Sequence, residues 1–301
     1  MAMDFNFDIS NENFRLKWEE RLENRKLKLK TERKLYADDD GLPILRRSCV
    51  MYLDELGTSA RLSNYDNEML RQDIDVYDRT RDILHSEATN DQDSQRSLYF
   101  SDNVVVVEPI GEDTFTGPNP TLLAQTICAA IYQLNLAITG RVLRGGIAIG
   151  NAYADGNFVT GPAHLSAVLL EETQAEVPRI LLDSEAVKIA KEAITDDKPN
   201  ESVFSDILLV DDDKKVFVNY LPLVFEDENI KGALSPISGL EKHRDHIISM
   251  LQAFKGTAVA GKYEWLASYH NFVILESRHH QMKNLYIAGY PTRNFRPLDG
   301  D

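Results

Sequence analysis

Residues 49–59 read CVMYLDELGTS and residues 97–109 read SLYFSDNVVVVEP, and these two stretches decide the fold. In each of them an apolar run typical of a strand leads to an aspartate, Asp54 in the first and Asp102 in the second. Residues that suit turns follow both aspartates. The pattern predicts two strand tips that hold carboxylates side by side, which suits Mg²⁺ or Mn²⁺ ions that bridge to phosphates.

A third stretch, RVLRGGIAIGNA over residues 141–152, places Arg144 at the head of a glycine-flanked strand. The planar guanidinium of arginine binds phosphate through two parallel hydrogen bonds, so Arg144 is a candidate phosphate ligand. The alternative interpretation is an ion pair between Arg144 and an acidic neighbour. Together with the two aspartates, this arginine indicates metal-assisted chemistry on a nucleoside triphosphate.

The spacing of apolar residues and turn residues predicts the order of elements along the chain. A strand comes first, followed by a helical region, a hairpin that turns at residues 102–103, and a helix from Pro120 to Gly140. A second hairpin turns at residues 155–156, and a helix, a strand and a third hairpin complete the series. This order predicts an α+β domain whose mostly antiparallel sheet is covered by helices.

The predicted boundaries divide the chain into three parts. They are a charged N-terminal segment (1–43), the α+β domain (44–225) and a helical C-terminal extension (226–301) with two helices and an irregular tail. Runs of three aspartates at 38–40 and 211–213 are interpreted as solvated turns, because each lies in a predicted loop without an opposing ligand.

The composition excludes several classes of partner. A formal net charge of −15 argues against nucleic-acid binding, since the phosphate backbone requires concentrated Lys and Arg. No apolar stretch is long enough to insert in a membrane, and the first residues lack the pattern of a signal peptide. We therefore expect a cytoplasmic protein in which Cys49 and Cys128 are buried thiols.

The motifs resemble those of the class III nucleotidyl cyclases over residues 44–223. That family has a strand reading F-x-D-I-x-G, to which MYLDELG is similar through Asp54 and Gly57, and a second metal-binding aspartate in a hairpin turn, at Asp102. The family strand R-x-G-I-x-x-G is similar to RGGIAIG, which begins at Arg144. Within the family, the strings DELGTSA, FSDN, RGGIAIG and VPRILLD resemble the pyrimidine cyclases of bacterial anti-phage (Pycsar) systems.

The resemblance implies an enzyme that converts UTP or CTP to the 3′,5′-cyclic monophosphate and pyrophosphate. It implies that Asp54, Asp102 and the backbone carbonyl of Glu55 hold two Mg²⁺ or Mn²⁺ ions. It also implies that Arg144 neutralises charge on the leaving pyrophosphate.

The resemblance further implies a head-to-tail homodimer, in which each subunit supplies metal ligands to one site and base contacts to the other. The backbone of Leu56 and Gly57, which follows Asp54, is expected to contact phosphate oxygens. The cyclic nucleotide is expected to activate a separate effector protein during phage infection.

The chain departs from the purine cyclases on the helix after the second hairpin. Those enzymes carry Asn and Arg four residues apart there, to stabilise the transition state, whereas this chain has Leu165 and Leu169. His164 and Arg141 are the candidates for a replacement donor.

The positions that recognise adenine in adenylate cyclases are apolar here. They hold Leu98 and Phe158 in place of Lys and Asp, which predicts a pocket for a pyrimidine base. Tyr52 lies two residues before Asp54 and so points to the same face of the strand. It is interpreted either as a lining residue of the pocket or as part of the core.

Two other classes of function compete with an active cyclase. The first is a cyclase-homology module that has lost activity and serves as a dimerisation or sensor unit, which Leu165 and Leu169 favour. The second is a palm-type polymerase or dinucleotide cyclase. The absence of a glycine-glycine-acidic turn at Asp102 argues against the second class.

Overall fold

The two aspartate-tipped stretches form neighbouring strands of one sheet. In the computed structural model, β1 (Arg46–Glu55) runs antiparallel to β3 (Asn103–Pro109) on one side and to β4 (Leu143–Ala154) on the other. The structure describes residues 20, 23–24, 34–63, 65–87, 95–196, 202–225, 235–277 and 280–299. Most of the predicted charged segment, 1–43, therefore lies outside the described residues.

Nine strands are present in the described part of the chain. The others are β2 (Arg96–Phe100), β5 (Val159–Thr160), β6 (Ile180–Leu182), β7 (Leu208–Val210), β8 (Val216–Val218) and β9 (Arg296–Pro297). The sheet order is β2-β3-β1-β4-β6-β8-β7-β9, with β5 paired to the end of β4. Strands β4 and β6 pair in parallel and the other described pairs are antiparallel, so the predicted sheet type is confirmed.

Helices cover both faces of this sheet, and the predicted α+β class is confirmed. They are α1 (Thr58–Leu62), α2 (Asn67–Glu87), α3 (Pro118–Ala137), α4 (Pro162–Leu169), α5 (Ser184–Asp196) and α6 (Val203–Ile207). On one face, Met51 and Leu53 of β1 share a core with Leu134 of α3. On the other face, Val50 shares a second core with Ala167 of α4. Cys49 and Cys128 are buried thiols, as the sequence predicts.

The turns of the first two predicted hairpins differ from the observed turns. Phe100 pairs with Asn103, so the first turn consists of Ser101 and Asp102, one residue earlier than predicted. The reason is that Asn103 also pairs with Asp54 in the β1–β3 ladder, which makes it a strand residue. The second turn has four residues, 155–158, because Ala154 and Val159 form the last pair.

Helix α5 was not predicted, although the sequence carries a signal for it. Its buried residues follow helical spacing: Ala186, Ile189, Ala190, Ala193 and Ile194. Asp183 precedes the helix and accepts a hydrogen bond from the amide of Ala186 at 2.7 Å, as an N-cap does. Among the described helices none is long and apolar enough to cross a membrane.

The C-terminal helices α7 (Pro236–Ala253) and α8 (Ala260–Glu276) share the core of the α3 face. The tail then returns to the sheet, where β9 pairs with β7 instead of remaining irregular. Asp211 joins the two parts by accepting hydrogen bonds from Arg179, Trp265 and Arg293 at 2.6, 2.8 and 3.0 Å. The interpretation of residues 211–213 as a solvated turn is therefore wrong at Asp211, which is buried.

Buried histidines tie the C-terminal helices together. The Tyr220 hydroxyl lies 2.9 Å from Nε2 of His243, Nδ1 of His243 lies 3.0 Å from Nδ1 of His270, and Nε2 of His270 lies 3.1 Å from the Leu285 carbonyl. Because a carbonyl only accepts, His270 carries its proton on Nε2, and His243 donates to it from Nδ1. Burial lowers the pKa of both rings, that of His270 to about 4, so both are neutral in the folded protein.

Acid is expected to destabilise the protein through His270. Its pKa is about 4 in the folded chain against an ordinary value of 6.5, so the unfolded state takes up the proton first as the pH falls. The stabilisation is complete above pH 6.5 and is lost toward pH 4; between pH 7 and pH 5 this group removes roughly 2 kcal/mol from the free energy of unfolding. Urea titrations at both pH values measure the loss.

The control is His270→Gln, which keeps a donor and an acceptor but does not titrate. Its loss of stability between pH 7 and pH 5 should be smaller by about the same 2 kcal/mol, whatever its stability at pH 7. An equal loss in the variant and the wild type would contradict the assignment.

Candidate active site

The register of the sheet places three residues at one level on adjacent strands. Asp54 lies opposite Asn103 of β3 and opposite Arg144 of β4. Asp102 directly precedes Asn103, and its carbonyl accepts a hydrogen bond from the amide of Glu55 at 3.2 Å. The structure therefore brings Asp54, Asp102 and Arg144 together.

Asp54 and Asp102 interact electrostatically. Burial raises the pKa of the Asp54 carboxyl, and the negative charge of Asp102 raises it further, whereas Arg144 lowers it. The Asp54 side chain is 22% exposed, so solvent reaches it. Two neighbouring, partly buried carboxylates repel each other, and a bound cation would compensate their negative charge.

Arg144 is shared between acidic groups. Its Nη2 lies 3.4 Å from Oδ2 of Asp54 and forms an ion pair with Glu171, while Nη1 donates to the carbonyl of Ala175 at 3.4 Å. Glu171 lies in a π-helical turn (Leu170–Gln174) that directly follows α4. The structure thus shows the acidic neighbours of Arg144, and its binding of phosphate stays a proposal.

Tyr52 lies on the same face of β1 as Asp54 and stabilises the turn that contains Asp102. Its hydroxyl donates a hydrogen bond to Oδ1 of Asn103, and its ring lies edge-on to that of His164 with 6.4 Å between centroids. Burial and the charge of Asp54 raise the pKa of Tyr52 to about 12, so the hydroxyl keeps its proton. This hydrogen bond holds the residue next to Asp102.

The carboxylate of Glu55 points to the opposite face of the sheet, as adjacent residues of a strand do. It is buried and forms ion pairs with Arg141 and with Arg61, and both arginines also pair with Asp73. The Glu55 side chain therefore cannot share a metal ion with Asp54, and only its backbone carbonyl remains a candidate ligand. Arg141 is one of the two candidate transition-state donors, and its guanidinium is engaged in these ion pairs on the face opposite to Asp54.

The backbone that follows Asp54 is partly occupied. The amide of Leu56 donates to the carbonyl of Val142 at 2.9 Å and is not available to phosphate. Gly57 precedes α1 in the left-handed conformation, with φ of 84°, which favours glycine. Of the two residues, only Gly57 retains an amide that could serve a phosphate group.

The two predicted base-pocket residues lie apart in a single chain. Leu98 is in register with Val105, which is in register with Tyr52. Phe158 lies in the four-residue turn at the far end of β4. The strand rise places that end about 30 Å from Arg144. One chain therefore does not bring Leu98 and Phe158 to a common ligand. The predicted dimer does not do so either, because one subunit would supply all the base contacts of a site, so the prediction of a joint base pocket from these two residues is wrong.

Two charged residues of this region were not predicted. Glu171 comes from the π-helical turn and Lys262 comes from α8. Burial lowers the pKa of Lys262, Arg144 lowers it further, and Glu171 and Asp54 raise it, so these four groups interact. The sequence offered a weak signal for Glu171, a pair of acidic residues at the end of an apolar helix. It offered none for Lys262, which lies in the C-terminal extension.

The donor chemistry of Asp54 and Asp102 fits Mg²⁺ or Mn²⁺, because both are oxygen ligands with excess negative charge. Within the described ranges, no group of three or more His, Cys, Asp or Glu side chains is placed to hold a metal ion. A centre with two carboxylates would need further oxygen atoms from the backbone, water or substrate phosphates, which is usual for Mg²⁺.

The fold has a distant likeness to a known structure. No protein-family model matches the chain, and no curated protein gives a significant match. The crystal structure of a class III adenylyl cyclase-like ATP-binding protein from Pseudomonas aeruginosa matches 50% of this chain and 37% of its own chain. The identity is 14% and the TM-score is 0.36. This chain thus spans about a third of the length of that protein.

Gly146 of β4 lies directly against the helix end and turn that carry Glu171. A Cβ atom on Gly146 would lie 2.4 Å from the carbonyl oxygen of Ala167 and 2.7 Å from Cβ of Leu170. A Cβ atom on Gly150 of the same strand would meet its nearest neighbour, Ala163, at an ordinary 3.5 Å. Gly146 therefore permits the close approach of the turn to β4, and Gly150 is not required for it.

Gly146→Ala is expected to lower the free energy of unfolding by roughly 1–3 kcal/mol, because backbone must move to relieve the contact. Gly150→Ala is the matched control and should change it by less than about 1 kcal/mol. Urea unfolding of both variants measures the difference. Equal stability of the two variants would show that the turn does not pack so closely against Gly146 that it excludes a Cβ atom.

Proposed function

We propose that this protein is a nucleotide cyclase that converts UTP or CTP to the 3′,5′-cyclic monophosphate and pyrophosphate. The observation that carries the proposal is the pairing of Asp54 with Arg144 across β1 and β4, beside the turn that holds Asp102 next to Asn103. Oxygen ligands for cations and a guanidinium for phosphate are the groups that chemistry on a nucleoside triphosphate requires.

In this proposal each residue has a defined part. Asp54 and Asp102 hold two Mg²⁺ or Mn²⁺ ions, which when bound neutralise the triphosphate and lower the pKa of the ribose 3′-hydroxyl. The 3′-hydroxyl gives its proton to water, and its oxygen bonds to the α-phosphorus as the bond from phosphorus to the pyrophosphate oxygen breaks and pyrophosphate leaves. Arg144 binds phosphate oxygens and stabilises the charge on the leaving pyrophosphate. Tyr52 holds the turn of Asp102 through Asn103.

Phe158 supports a pyrimidine as the base. Its side chain cannot pair with the hydrogen-bonding edge of adenine, and each buried polar group left unpaired costs roughly 1–3 kcal/mol. The Phe158 ring is 56% exposed, which leaves it free to contact a ligand beside a second chain. Its bulk favours a single six-membered ring over a purine.

Exposed apolar residues support a homodimer. Leu165 and Leu169 lie four residues apart on α4, the helix on the Asp54 face of the sheet, and are 59% and 43% exposed. Contiguous apolar surface of this kind is typical of an interface. A second copy would cover both leucines and bring Phe158 of one chain toward Asp54 of the other.

The family resemblance adds a biological role to the proposal: the cyclic nucleotide is a signal in anti-phage defence and is read by a separate effector protein. The second candidate function is a catalytically inactive module for dimerisation or sensing. Leu165 and Leu169 favour it because they stand where the purine cyclases have polar groups. Formation of a cyclic nucleotide separates the two candidates.

The purified protein with Mn²⁺ is expected to cyclise UTP or CTP faster than ATP or GTP, as mass spectrometry of the products measures. Asp54→Asn and Asp102→Asn should each reduce the rate roughly 100-fold or more, because each removes a metal ligand. Neither should lower the melting temperature without metal, since each removes one of two repelling charges.

The matched control is Glu112→Gln, which removes an exposed acidic group and should leave the rate unchanged. Mn²⁺ should raise the melting temperature of the wild type and the control but not of the two aspartate variants. Near-normal activity of either aspartate variant would overturn the metal site, and fastest cyclisation of ATP or GTP would overturn the base assignment.

The double substitution Leu165→Lys with Leu169→Lys should convert a dimer to an inactive monomer, because it places charges in the apolar interface. Sedimentation velocity measures the oligomeric state. Leu275→Lys on α8 alters a leucine that is 55% exposed and should leave a dimer. A double variant that remains dimeric, or a monomer with full activity, would disprove the interface.

A further inference from the structure

Glu171 is a buried carboxylate placed directly on Arg144. The residue is 3% exposed, and its carboxylate forms an ion pair with Nη2 of Arg144. It sits in the π-helical turn Leu170–Gln174, which the close approach at Gly146 holds against β4. The contact between Glu171 and Arg144 is therefore built into the packing of the turn on the sheet.

The hydrogen-bonding groups of Arg144 are nearly all occupied or enclosed. Nη2 is shared between Asp54 and Glu171, and Nη1 donates to the carbonyl of Ala175. Nε is buried and has no acceptor among the described residues. Two-point binding of phosphate needs two parallel N–H groups of the guanidinium. A phosphate group can bind two N–H groups of Arg144 only if Nη2 is released from a carboxylate. Of the two carboxylates that contact Nη2, Glu171 is the closer.

The ion pair with Arg144 is what holds Glu171 as an anion. Burial raises the pKa of the Glu171 carboxyl, and the negative charges of Asp54 and Glu172 raise it further, whereas Arg144 lowers it. An anion with more negative charge and more acceptor oxygens, such as a phosphate group, would compete well for the guanidinium of Arg144.

We propose that Glu171 is a resident anion that occupies the phosphate-binding side of Arg144 and is displaced by a phosphate group of the substrate. Without substrate, the Glu171 carboxylate compensates the charge of Arg144. With substrate, Arg144 exchanges this carboxylate for phosphate oxygens. The inference rests on the proposed function, since it names the group with which the triphosphate competes.

The test uses inorganic pyrophosphate as the probe, in the presence of EDTA, with calorimetry as the measurement. Glu171→Gln should bind pyrophosphate about tenfold more tightly than the wild type, because the neutral amide releases Arg144. Glu172→Gln is the matched control: it removes the same charge one residue away, from an exposed side chain, and should tighten binding by no more than about twofold. Arg144→Gln should weaken binding and should abolish the gain when combined with Glu171→Gln.

Equal affinities of Glu171→Gln and Glu172→Gln would overturn the proposal, because the effect would then be one of general charge. Weaker binding by Glu171→Gln would also overturn it, since Glu171 would then orient Arg144 for phosphate. If Glu171→Gln fails to fold, Glu171→Asp keeps the charge but shortens the reach by one methylene, and it should bind pyrophosphate more tightly than the wild type; unchanged affinity would count against the proposal.

These measurements need neither metal nor turnover. They are therefore read independently of the assay with the four nucleoside triphosphates. Loss of the Glu171 effect with intact cyclisation would reject only this inference, whereas a clear Glu171 effect without cyclisation would reject only the proposed reaction.

Discussion

The register of β1 between β3 and β4 is the constraint on which the candidate site depends. Ten residue pairs join β1 to β4 and seven join it to β3, and this register sets Asp54 opposite both Asn103 and Arg144. Met51 and Leu53 hold this register because both are fully buried on the α3 face. A slip by one residue would turn Asp54 into that core. Hydrophobic packing on one face therefore sets the geometry of the charged groups on the other.

The strand register and the packing around it bring more negative than positive side chains to the candidate site. Asp54, Asp102 and Glu171 are opposed by Arg144 and by Lys262, and the burial of carboxylates is unfavourable unless they are paired. A site of this kind is suited to accept cations first and a polyanion with them. It also depends on the C-terminal helices, since α8 supplies Lys262 and the contacts of Asp211 hold α8 against the sheet.

The local parts of this structure could be predicted from the sequence and the long-range parts could not. Apolar runs bounded by turn residues identified strands, and helical spacing identified helices; the positions of Asp54 and Arg144 at strand ends followed from the apolar runs. Asp211 was misjudged because its partners come from distant segments that no local pattern connects to it. Glu171 and Lys262 escaped prediction for the same reason: each reaches the site from an element whose packing is decided by tertiary contacts.

Diffraction at the manganese absorption edge from crystals grown with Mn²⁺ and 3′-deoxyuridine triphosphate, which lacks the attacking hydroxyl, tests the central claim most directly. We predict anomalous density for manganese between Asp54 and Asp102, with the triphosphate extending toward Arg144. The contrary result is manganese and triphosphate bound elsewhere, with neither aspartate in contact with a metal ion. It would contradict the proposal that Asp54, Asp102 and Arg144 form the active site of a nucleotide cyclase.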